Sequence, residues 1–470
     1  MNMSHEIRAM KRRTLALCVA VLCGAAMAED AVAFERVQPA AVEPRVYVTS
    51  LTPSVPATPS NTIPVSNCED SGPGSLRDAV ANAVSGDVID MTALTCSRIT
   101  LTTGAIVIGQ HDLAFVGPGR ENLAIDASGS PGYGVFYDLG GGNLEISHVT
   151  VENGSKYRPD HNARGGCIYS NGNIAIEHAV VQACGASTVW PYSAQGGGVF
   201  SYGETYLLDT RIVDNAVYSP GSYASGAGVY AMGGFVAKYA QISGNAAHAA
   251  NSWGGGVFAN GPVFVSYGEI SGNAARNRAG ASFADSDGNT ATMRNSTVSG
   301  NVASSKVGGI YVRPELFMYN CTVAFNSAAV WNNGAGQYYG AGVNVNVVST
   351  IYSSILSNNT VPGVGTPGDI FDLSGNALGI QGADNIIMEF NIGLPNDTDH
   401  GDPGLLPLAD NGGPTHTHIP TSFNAQGFGD NILSLPYDQR GPGFPRQTSA
   451  GLTVGAYEAN PDIIFVNGFN

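Results

Sequence analysis

The chain has 470 residues, of which only 12% are charged and 62 are glycine, and its formal net charge at pH 7 is −16. Such a composition is typical of stacked β-structure with many tight turns and argues against a helical enzyme. Removing residues 1–28 would leave 17 Lys and Arg against 36 Asp and Glu. Because phosphate recognition needs clustered Lys and Arg, this balance argues against nucleic acid as a partner.

Residues 1–28 have the pattern of a signal peptide. Lys11, Arg12 and Arg13 precede an apolar stretch from Leu15 to Ala25, and Ala26-Met27-Ala28 supplies the small residues of a cleavage site. A membrane anchor is the alternative, but this stretch is too short to span ~30 Å of hydrocarbon. We therefore expect export through an inner membrane to a secreted or cell-surface location, with no transmembrane segment.

The next segments predict a linker followed by a cap. Residues 29–65 are rich in Pro, Ala, Thr and Val without a sustained period, which is typical of a linker. Residues 66–130 should form the N-terminal cap and the first turns of a repeat. Within them, Ser75 is a suitable N-cap for a short helix that places Leu76, Val80 and Val84 on one face. Such a helix would cover the open end of a solenoid.

Five cysteines remain after the signal peptide, an odd number in an oxidising compartment. Cys68 and Cys96 are predicted to form a disulfide that staples the cap. A bond between Cys167 and Cys184 is left open. Cys321 is expected to be a buried free thiol.

Residues 131–400 are predicted to be repeated coils of about 28 residues. Polar turns recur at Cys184, Asn215, Asn245, Asn273, Asn301, Asn326 and Asn358. The intervening apolar runs have three to six residues and show no helical period, so each coil should contain three short strands. The predicted fold is all-β, a right-handed parallel β-helix (solenoid), with Asn supplying left-handed backbone and coil-to-coil hydrogen bonds at the turns.

Two columns of residues support this stacking. Three positions before each polar turn every residue is β-branched: Val181, Ile212, Ile242, Ile270, Val298, Val323 and Ile355. Two positions earlier every residue is small: Ala179, Thr210, Ala240, Gly268, Ser296, Cys321 and Ser353. By the two-residue alternation of a strand, both columns should face inward.

The end of the chain resembles a known group of bacterial surface proteins. The stretch from Asp402 to Thr415, with Asp438-Gln-Arg-Gly441 and Val454-Gly-Ala-Tyr-Glu458, is similar to the closing region of the choice-of-anchor Q family, and the repeats resemble those of polymorphic outer-membrane-protein-like β-helices. The resemblance implies a surface or secreted protein without a known reaction. Residues 401–458 should close the solenoid, with Asp438, Arg440 and Glu458 as an ion-paired cap of the coil stack, and residues 459–470 form a tail.

Stacking also predicts an outward patch. His178, Asp209 and Tyr239 fall in one outward column, beside Arg211, Gln241 and Glu269 in the next. The patch combines acids, a base and an imidazole, which general acid–base chemistry requires. We take Asp209, Arg211, His178 and Glu269 as candidate catalytic residues, and Tyr239 and Gln241 as candidate ligand contacts; the alternative is a solvated sheet face.

Two further features are candidate binding sites. An aromatic residue follows each glycine pair, and this row either stacks on sugar rings or stacks on itself: Tyr169, Phe200, Tyr230, Phe258, Phe283 and Tyr311. Asp397, Asp399 and Asp402 alternate as in some calcium loops, although they lack the complete spacing of such a loop, so a structural turn is the alternative and Ca²⁺ is the one cofactor considered.

These observations lead to two functional hypotheses. The first is an exported, non-catalytic and monomeric β-helix with an elongated adhesive face for extracellular polysaccharide or surface glycans. The second is a polysaccharide lyase or glycoside hydrolase on the same scaffold. An enzyme should have a lateral groove in which loops converge on Asp, Arg or His, whereas an adhesin should have long flat faces.

Overall fold

The protein is a parallel β-solenoid of about ten turns, as the sequence predicted. A computed structural model describes residues 61–284, 289–329, 340–361, 372–375, 379–446 and 451–459. The signal peptide, the linker as far as residue 60 and the tail beyond residue 459 lie outside these residues.

Three long parallel sheets run the length of the described solenoid and enclose its main core. Sheet 1 has twelve described strands: Thr62–Pro64, Asp87–Asp90, Leu113–Val116, Asn143–Ser147, Asn173–Glu177, Thr205–Leu208, Phe235–Lys238, Val263–Ser266, Thr290–Arg294, Glu315–Tyr319, Ser349–Tyr352 and Ile380–Ala383. Sheet 2 has eleven: Arg98–Thr100, Ala124–Asp126, Thr150–Glu152, Val180–Gln182, Arg211–Val213, Gln241–Ser243, Glu269–Ser271, Thr297–Ser299, Thr322–Ala324, Ile355–Ser357 and Ile386–Ile387. The third long sheet is numbered sheet 5, because in the middle coils its strand follows the strands of two shorter sheets, 3 and 4. It has ten described strands: Ile106–Ile108, Phe136–Asp138, Ile168–Ser170, Val199–Ser201, Val229–Ala231, Val257–Ala259, Ser282–Ala284, Ile310–Val312, Val343–Val345 and Leu373–Gly375.

Two shorter parallel sheets lie between sheets 2 and 5 in chain order and form a lateral lobe. Sheet 3 has seven described strands: Ser155–Arg158, Gly185–Thr188, Ala216–Tyr218, Ala246–His248, Ala274–Ala275, Val302–Ala303 and Ser327–Ala328. Sheet 4 has four: Ala163–Arg164, Ala194–Gln195, Tyr223–Ser225 and Asn251–Trp253. The lobe has its own small core of alanine and valine. The prediction of three strands per coil is therefore wrong for the middle coils, which have up to five.

The main core follows the two predicted inward columns. Val181, Ile212 and Ile242 pair in register on adjacent strands of sheet 2 and are at most 1% exposed. The last coil differs, because Val323 pairs with Leu356 rather than with Ile355. The one-residue shift also moves Ser354, rather than Ser353, into the small inward column, where its hydroxyl accepts the Cys321 amide at 3.1 Å.

The turn asparagines form a continuous buried ladder. The side-chain amide of Asn245 donates to Oδ1 of Asn273 at 2.8 Å and to the carbonyl of Ile212 at 2.9 Å, and every ladder residue repeats this pattern. The ladder runs through Asn215, Asn245, Asn273, Asn301, Asn326 and Asn359 and ends on Asp372. It uses Asn359 and not the predicted Asn358. The left-handed residue is the one before each ladder residue, such as Gly272 with φ 61°.

The N-terminal end is closed as the sequence predicted. A seven-residue helix, α1 (Leu76–Asn82), starts at Ser75, whose hydroxyl accepts the Asp78 amide, and it buries Leu76, Ala79 and Val80 in the main core. Val84 lies beyond the helix and is 62% exposed, contrary to expectation. Thr62–Pro64, which the sequence analysis assigned to the linker, pairs with Asp87–Asp90 as the first strand of sheet 1.

Cysteine chemistry agrees with the predicted compartment. Cys68 bonds to Cys96 as predicted, and Cys167 bonds to Cys184 with Cα atoms 5.4 Å apart, which resolves the alternative left open. Cys321 is a buried free thiol.

The closing region lies along the side of the solenoid, which differs from the predicted cap on the coil stack. Residues 401–446 and 451–458, here called the closing segment, cover the outer face of sheet 2 from Glu269 to Ile355. The Asn320 amide donates to the carbonyl of Asp430, Thr297 Oγ1 donates to Gln439, and the Ala456 amide donates to Thr322 Oγ1 at 3.0 Å. These bonds span more than one hundred residues of sequence and make this part of the outer face of sheet 2 a second buried interface.

Candidate functional site

A corner between sheets 1 and 2 brings together three of the predicted catalytic residues. His178 and Asp209 occupy the same turn position in adjacent coils and both have left-handed backbone, with φ of 50° and 43°. Nδ1 of His178 lies 2.8 Å from Oδ2 of Asp209. Nη1 of Arg120, three coils earlier, donates to the carbonyl of Asp209 at 2.6 Å and to its Oδ1 at 3.2 Å. Both carboxylate oxygens of Asp209 therefore already have a partner.

Arg211 is also paired within this corner. Its Nη1 lies 3.7 Å from Oε1 of Glu121, which in turn lies 3.8 Å from Nε of Arg120. The rings of His148 and His178 are 5.0 Å apart. Arg120, Glu121, His148, His178, Asp209 and Arg211, here called the corner cluster, thus form a network of ion pairs that ties adjacent coils together along the axis.

The other half of the predicted patch adjoins this cluster, since Gln241 pairs in register with Arg211 and with Glu269, but the closing segment covers much of it. Glu269 is 1% exposed, and its Oε2 accepts the amide of His416 at 3.0 Å and faces its Nδ1 at 2.8 Å. The hydrogen bond to Glu269 raises the pKa of His416 above its usual value. The Tyr239 ring packs against the Tyr267 ring in a tilted arrangement, with centroids 5.0 Å apart, and lies against Gly441, while Gln241 is half-buried. The structure therefore brings His178, Asp209 and Arg211 together and places Glu269 in a buried contact.

The predicted aromatic row stacks on itself and is largely buried. Tyr169, Phe200, Tyr230 and Phe258 stack in order, with ring centroids 5.5, 5.4 and 4.7 Å apart. Phe200 is 0%, Phe258 3% and Tyr230 6% exposed, because the lobe folds over them. Self-stacking, the alternative left open, is what the structure shows. The row faces away from the main core, but it fills the space between sheets 5 and 4.

The proposed calcium loop serves as a turn. Oδ2 of Asp397 accepts the Asp384 amide, Oδ1 of Asp399 accepts the Gly401 amide, and Oδ1 of Asp402 accepts the Gly404 amide. Within the described ranges, no three His, Cys, Asp or Glu side chains are grouped so that they could hold a metal ion. These carboxylates stabilise backbone turns at the end of the solenoid.

The three residues of the predicted ion-paired cap, Asp438, Arg440 and Glu458, all form buried ion pairs, and the partner of Glu458 is Arg446, which the sequence did not predict. Arg440 Nη2 contacts Asp438 Oδ2 at 2.6 Å, and its guanidinium lies between the rings of Phe444 and Tyr457. Arg446 is fully buried beside Glu458, with Nη1 at 3.5 Å from Oε2. Burial raises the pKa of Glu458 to about 7. These pairs hold the segment together, and Arg446 also donates to Asn295 of the solenoid.

A concave surface on sheet 3 was missed by the sequence analysis. A cavity of about 450 Å³ lies along sheet 3 of the lobe, with alanines as part of its floor: Ala274 is half-buried, and Ala247 and Ala275, which also belong to the lobe core, are only 3% and 4% exposed. Its walls carry Tyr218 and Arg276 together with other lining residues. In register along sheet 3, one outward column contains Tyr157, Ser187, Tyr218 and His248, and Arg276 continues it.

The sequence contained a signal for this groove. Three residues follow each ladder asparagine in a repeating pattern: Ala216-Val217-Tyr218, Ala246-Ala247-His248, Ala274-Ala275-Arg276 and Val302-Ala303-Ser304. In the first three triplets a small residue, a buried apolar residue and an exposed polar residue follow in this order, and in the fourth Val302 takes the first place; this is the alternation of a half-buried strand. Because these residues were interpreted as turns, the strands of sheet 3 were not predicted.

Comparison with known proteins gives no guide to the site. No family model, no curated protein and no solved structure matches the chain. In the part of the chain that the structure describes, no helix has the length and apolarity needed to cross a bilayer.

Proposed function

We propose that this chain is an exported, non-catalytic β-solenoid that uses the outer face of sheet 3 to bind glycans. The observation that carries the proposal is the sheet 3 groove, in which exposed Tyr218 stands beside a smooth alanine floor. Small floor residues let a polymer approach the backbone closely, and tyrosine presents both a flat apolar face and a hydroxyl. Sites of this kind, concave and apolar with a few polar groups, are common ligand sites.

The column geometry suits an elongated ligand. Neighbouring strands lie ~4.8 Å apart, so the five positions from Tyr157 to Arg276 extend over roughly 19 Å. Tyr157 and Tyr218 are 46% and 53% exposed. Trp190, 70% exposed, lies against Gly221 at the rim of the groove and adds a further ring. A chain of sugar units could contact several of these positions at once.

Export and family membership belong to the same proposal. Two disulfides favour an oxidising compartment, since such bonds are rare in the reducing cytosol. The signal-peptide pattern of residues 1–28 and the resemblance of residues 402–458 to choice-of-anchor Q proteins support a surface or secreted location.

A polysaccharide-cleaving enzyme is the second candidate, and the His178–Asp209 contact at 2.8 Å favours it. An imidazole held by a carboxylate can act as a general base. We rank it second because Asp209 is shared with Arg120 and Arg211 is paired with Glu121. The charged groups of the corner cluster are thus already paired with one another.

The test is binding of the full chain to a panel of immobilised glycans, with analysis of any products. We expect saturable binding without shortening of the glycan, and loss of at least about tenfold in affinity for Tyr218→Ala, since hot-spot aromatic contacts are commonly worth this much. Phe423→Ala is the matched control, because this ring is 50% exposed but lies on the closing segment. Equal binding by Tyr218→Ala would overturn the sheet 3 site. Cleavage that Asp209→Ala abolishes in a folded protein would establish the second candidate.

A further inference from the structure

The lateral lobe carries a charge opposite to that of the rest of the protein. Its strands and turns comprise residues 155–164, 185–195, 216–225, 246–253, 274–278, 302–306 and 327–328. They contain six Lys and Arg residues and a single acid: Lys156, Arg158, Arg164, Arg276, Arg278, Lys306 and the acidic Asp160. Outside the signal peptide the chain has 36 acids and 17 bases. The lobe is therefore a basic region on an acidic molecule.

Four of these cations lie on the side of the lobe that faces the aromatic rings of sheet 5. Lys156 Nζ lies 4.3 Å from the centroid of the Tyr137 ring, and the Arg164 and Arg278 guanidinium carbons lie 5.2 Å from the Phe200 and Tyr311 ring centroids. Lys306, only 8% exposed, is in register with Arg278. Cations behind a low-dielectric wall are screened weakly by solvent, so their field reaches the outer face of the lobe.

The groove itself adds one cation, Arg276, and one imidazole, His248, and no acid. His248 and Arg276 are exposed and lie in adjacent coils of the column that begins at Tyr157. Asp160, the one acid of the lobe, is on the first coil, where its carboxylate lies 2.7 Å from Nδ1 of His161. Among the residues that line the groove there is no Asp or Glu.

We infer that the ligand of the sheet 3 groove is an anionic polysaccharide, one that carries carboxylate or sulfate groups at regular spacing. This inference rests on the proposed glycan-binding function and adds the charge class of the ligand. Sugar rings would lie on the alanine floor beside Tyr218, and anionic substituents would face His248 and Arg276. The acidic remainder of the surface would repel the same polymer, which confines it to the lobe.

The test measures binding of the full chain to alginate and heparin, with dextran as the neutral glycan and double-stranded DNA as a second polyanion. We expect alginate or heparin to bind more tightly than dextran or DNA. Raising NaCl from 50 to 500 mM should weaken that binding by about tenfold or more, because ion pairing with a polyanion releases counterions. Arg276→Gln and His248→Gln should each weaken it about fivefold, while Lys238→Gln, an exposed cation on sheet 1, should change it less than twofold.

The outcomes separate this inference from the proposed function. Dextran bound as tightly as alginate, with no dependence on salt, would overturn the anionic ligand and leave glycan binding intact. Failure of all three polysaccharides would overturn both. Tighter binding of DNA would overturn the polysaccharide class, and an equal effect of Lys238→Gln would place the contact outside the groove.

Discussion

At the residue scale, the ladder asparagines link each coil to both of its neighbours. The Asn273 side-chain amide donates to the carbonyl of Ile242 and to Oδ1 of Asn301, while its own Oδ1 accepts from Asn245. All of these groups are buried, so none can turn to water if a partner is removed. The register of the coils is therefore set by these specific hydrogen bonds as well as by hydrophobic packing.

Asn273→Ala should lower the free energy of unfolding by about 2–4 kcal/mol, because it leaves several buried polar groups without a partner. Chemical denaturation measures the change. Asn251→Ala is the control, since Asn251 is exposed outside the ladder and its loss should cost less than about 0.5 kcal/mol. Similar losses for both variants would contradict a special role of the ladder.

Cys321 should not react with thiol reagents in the native protein. Burial raises the pKa of its thiol to about 12, so thiolate is scarce and reagents have no access. Labelling followed by mass spectrometry should modify Cys321 only after denaturation. Rapid modification under native conditions would show that the small inward column is open to solvent.

Asp372 makes stability depend on pH in a defined direction. Burial raises its pKa from 3.8 to about 7, although Asn359 donates two hydrogen bonds to Oδ1. Between these two pKa values the folded state holds a proton that the unfolded state has lost, so stability should fall as pH rises from about 4 to 7. Asp372→Asn should flatten this part of the Tm–pH profile. A wild-type Tm that rises over this interval, or a profile unchanged in the variant, would contradict the assignment.

At the scale of elements, the buried guanidinium of Arg446 helps to attach the closing segment to the solenoid. Arg446 donates to Asn295 Oδ1 at 2.6 Å and to the Ala456 carbonyl at 3.2 Å, and it faces Glu458. Asn295 belongs to the turn between sheets 1 and 2, so this guanidinium joins the segment to the solenoid in addition to the bonds at Thr297, Asn320 and Thr322.

Arg446→Met should detach the closing segment without unfolding the coils. Removing one partner of a buried ion pair costs about 3–5 kcal/mol, and here the loss falls on the segment. Hydrogen exchange should accelerate in residues 429–446 and 451–458 while the sheet 1 strands stay protected. Arg211→Ala should cost at most about 1 kcal/mol, because its ion pair is largely exposed. Global loss of protection in Arg446→Met would mean that the segment and the coils form one cooperative unit.

The inward columns could be predicted because strand alternation and coil stacking leave a regular pattern of residue types in the sequence. Val181, Ile212 and Ile242 are evenly spaced and β-branched, and the structure places them in register. The last coil was misaligned because Asn358 and Asn359 are adjacent and the sequence alone does not show which one enters the ladder. Only the acceptor in the next coil, Asp372, distinguishes them.

At the scale of the whole molecule, packing between residues that are distant in sequence decides which candidate site residues are covered and which stay exposed. Glu269 and His416 are 147 residues apart in sequence, and nothing local indicates that they meet. The aromatic row was correctly placed outside the main core, but alternation could not show that a lobe covers it. The sequence therefore predicted the solenoid and the His178–Asp209 proximity, while the burial of Glu269 and the sheet 3 groove required the fold.

Hydrogen exchange of the full chain with and without alginate tests most directly whether ligands bind on the lobe. We expect slower exchange on binding in residues 216–222, 246–250 and 274–277, which form the groove, with unchanged exchange at 118–122 and 209–211. Protection confined to the corner cluster, or alginate binding without protection of the lobe, would contradict it.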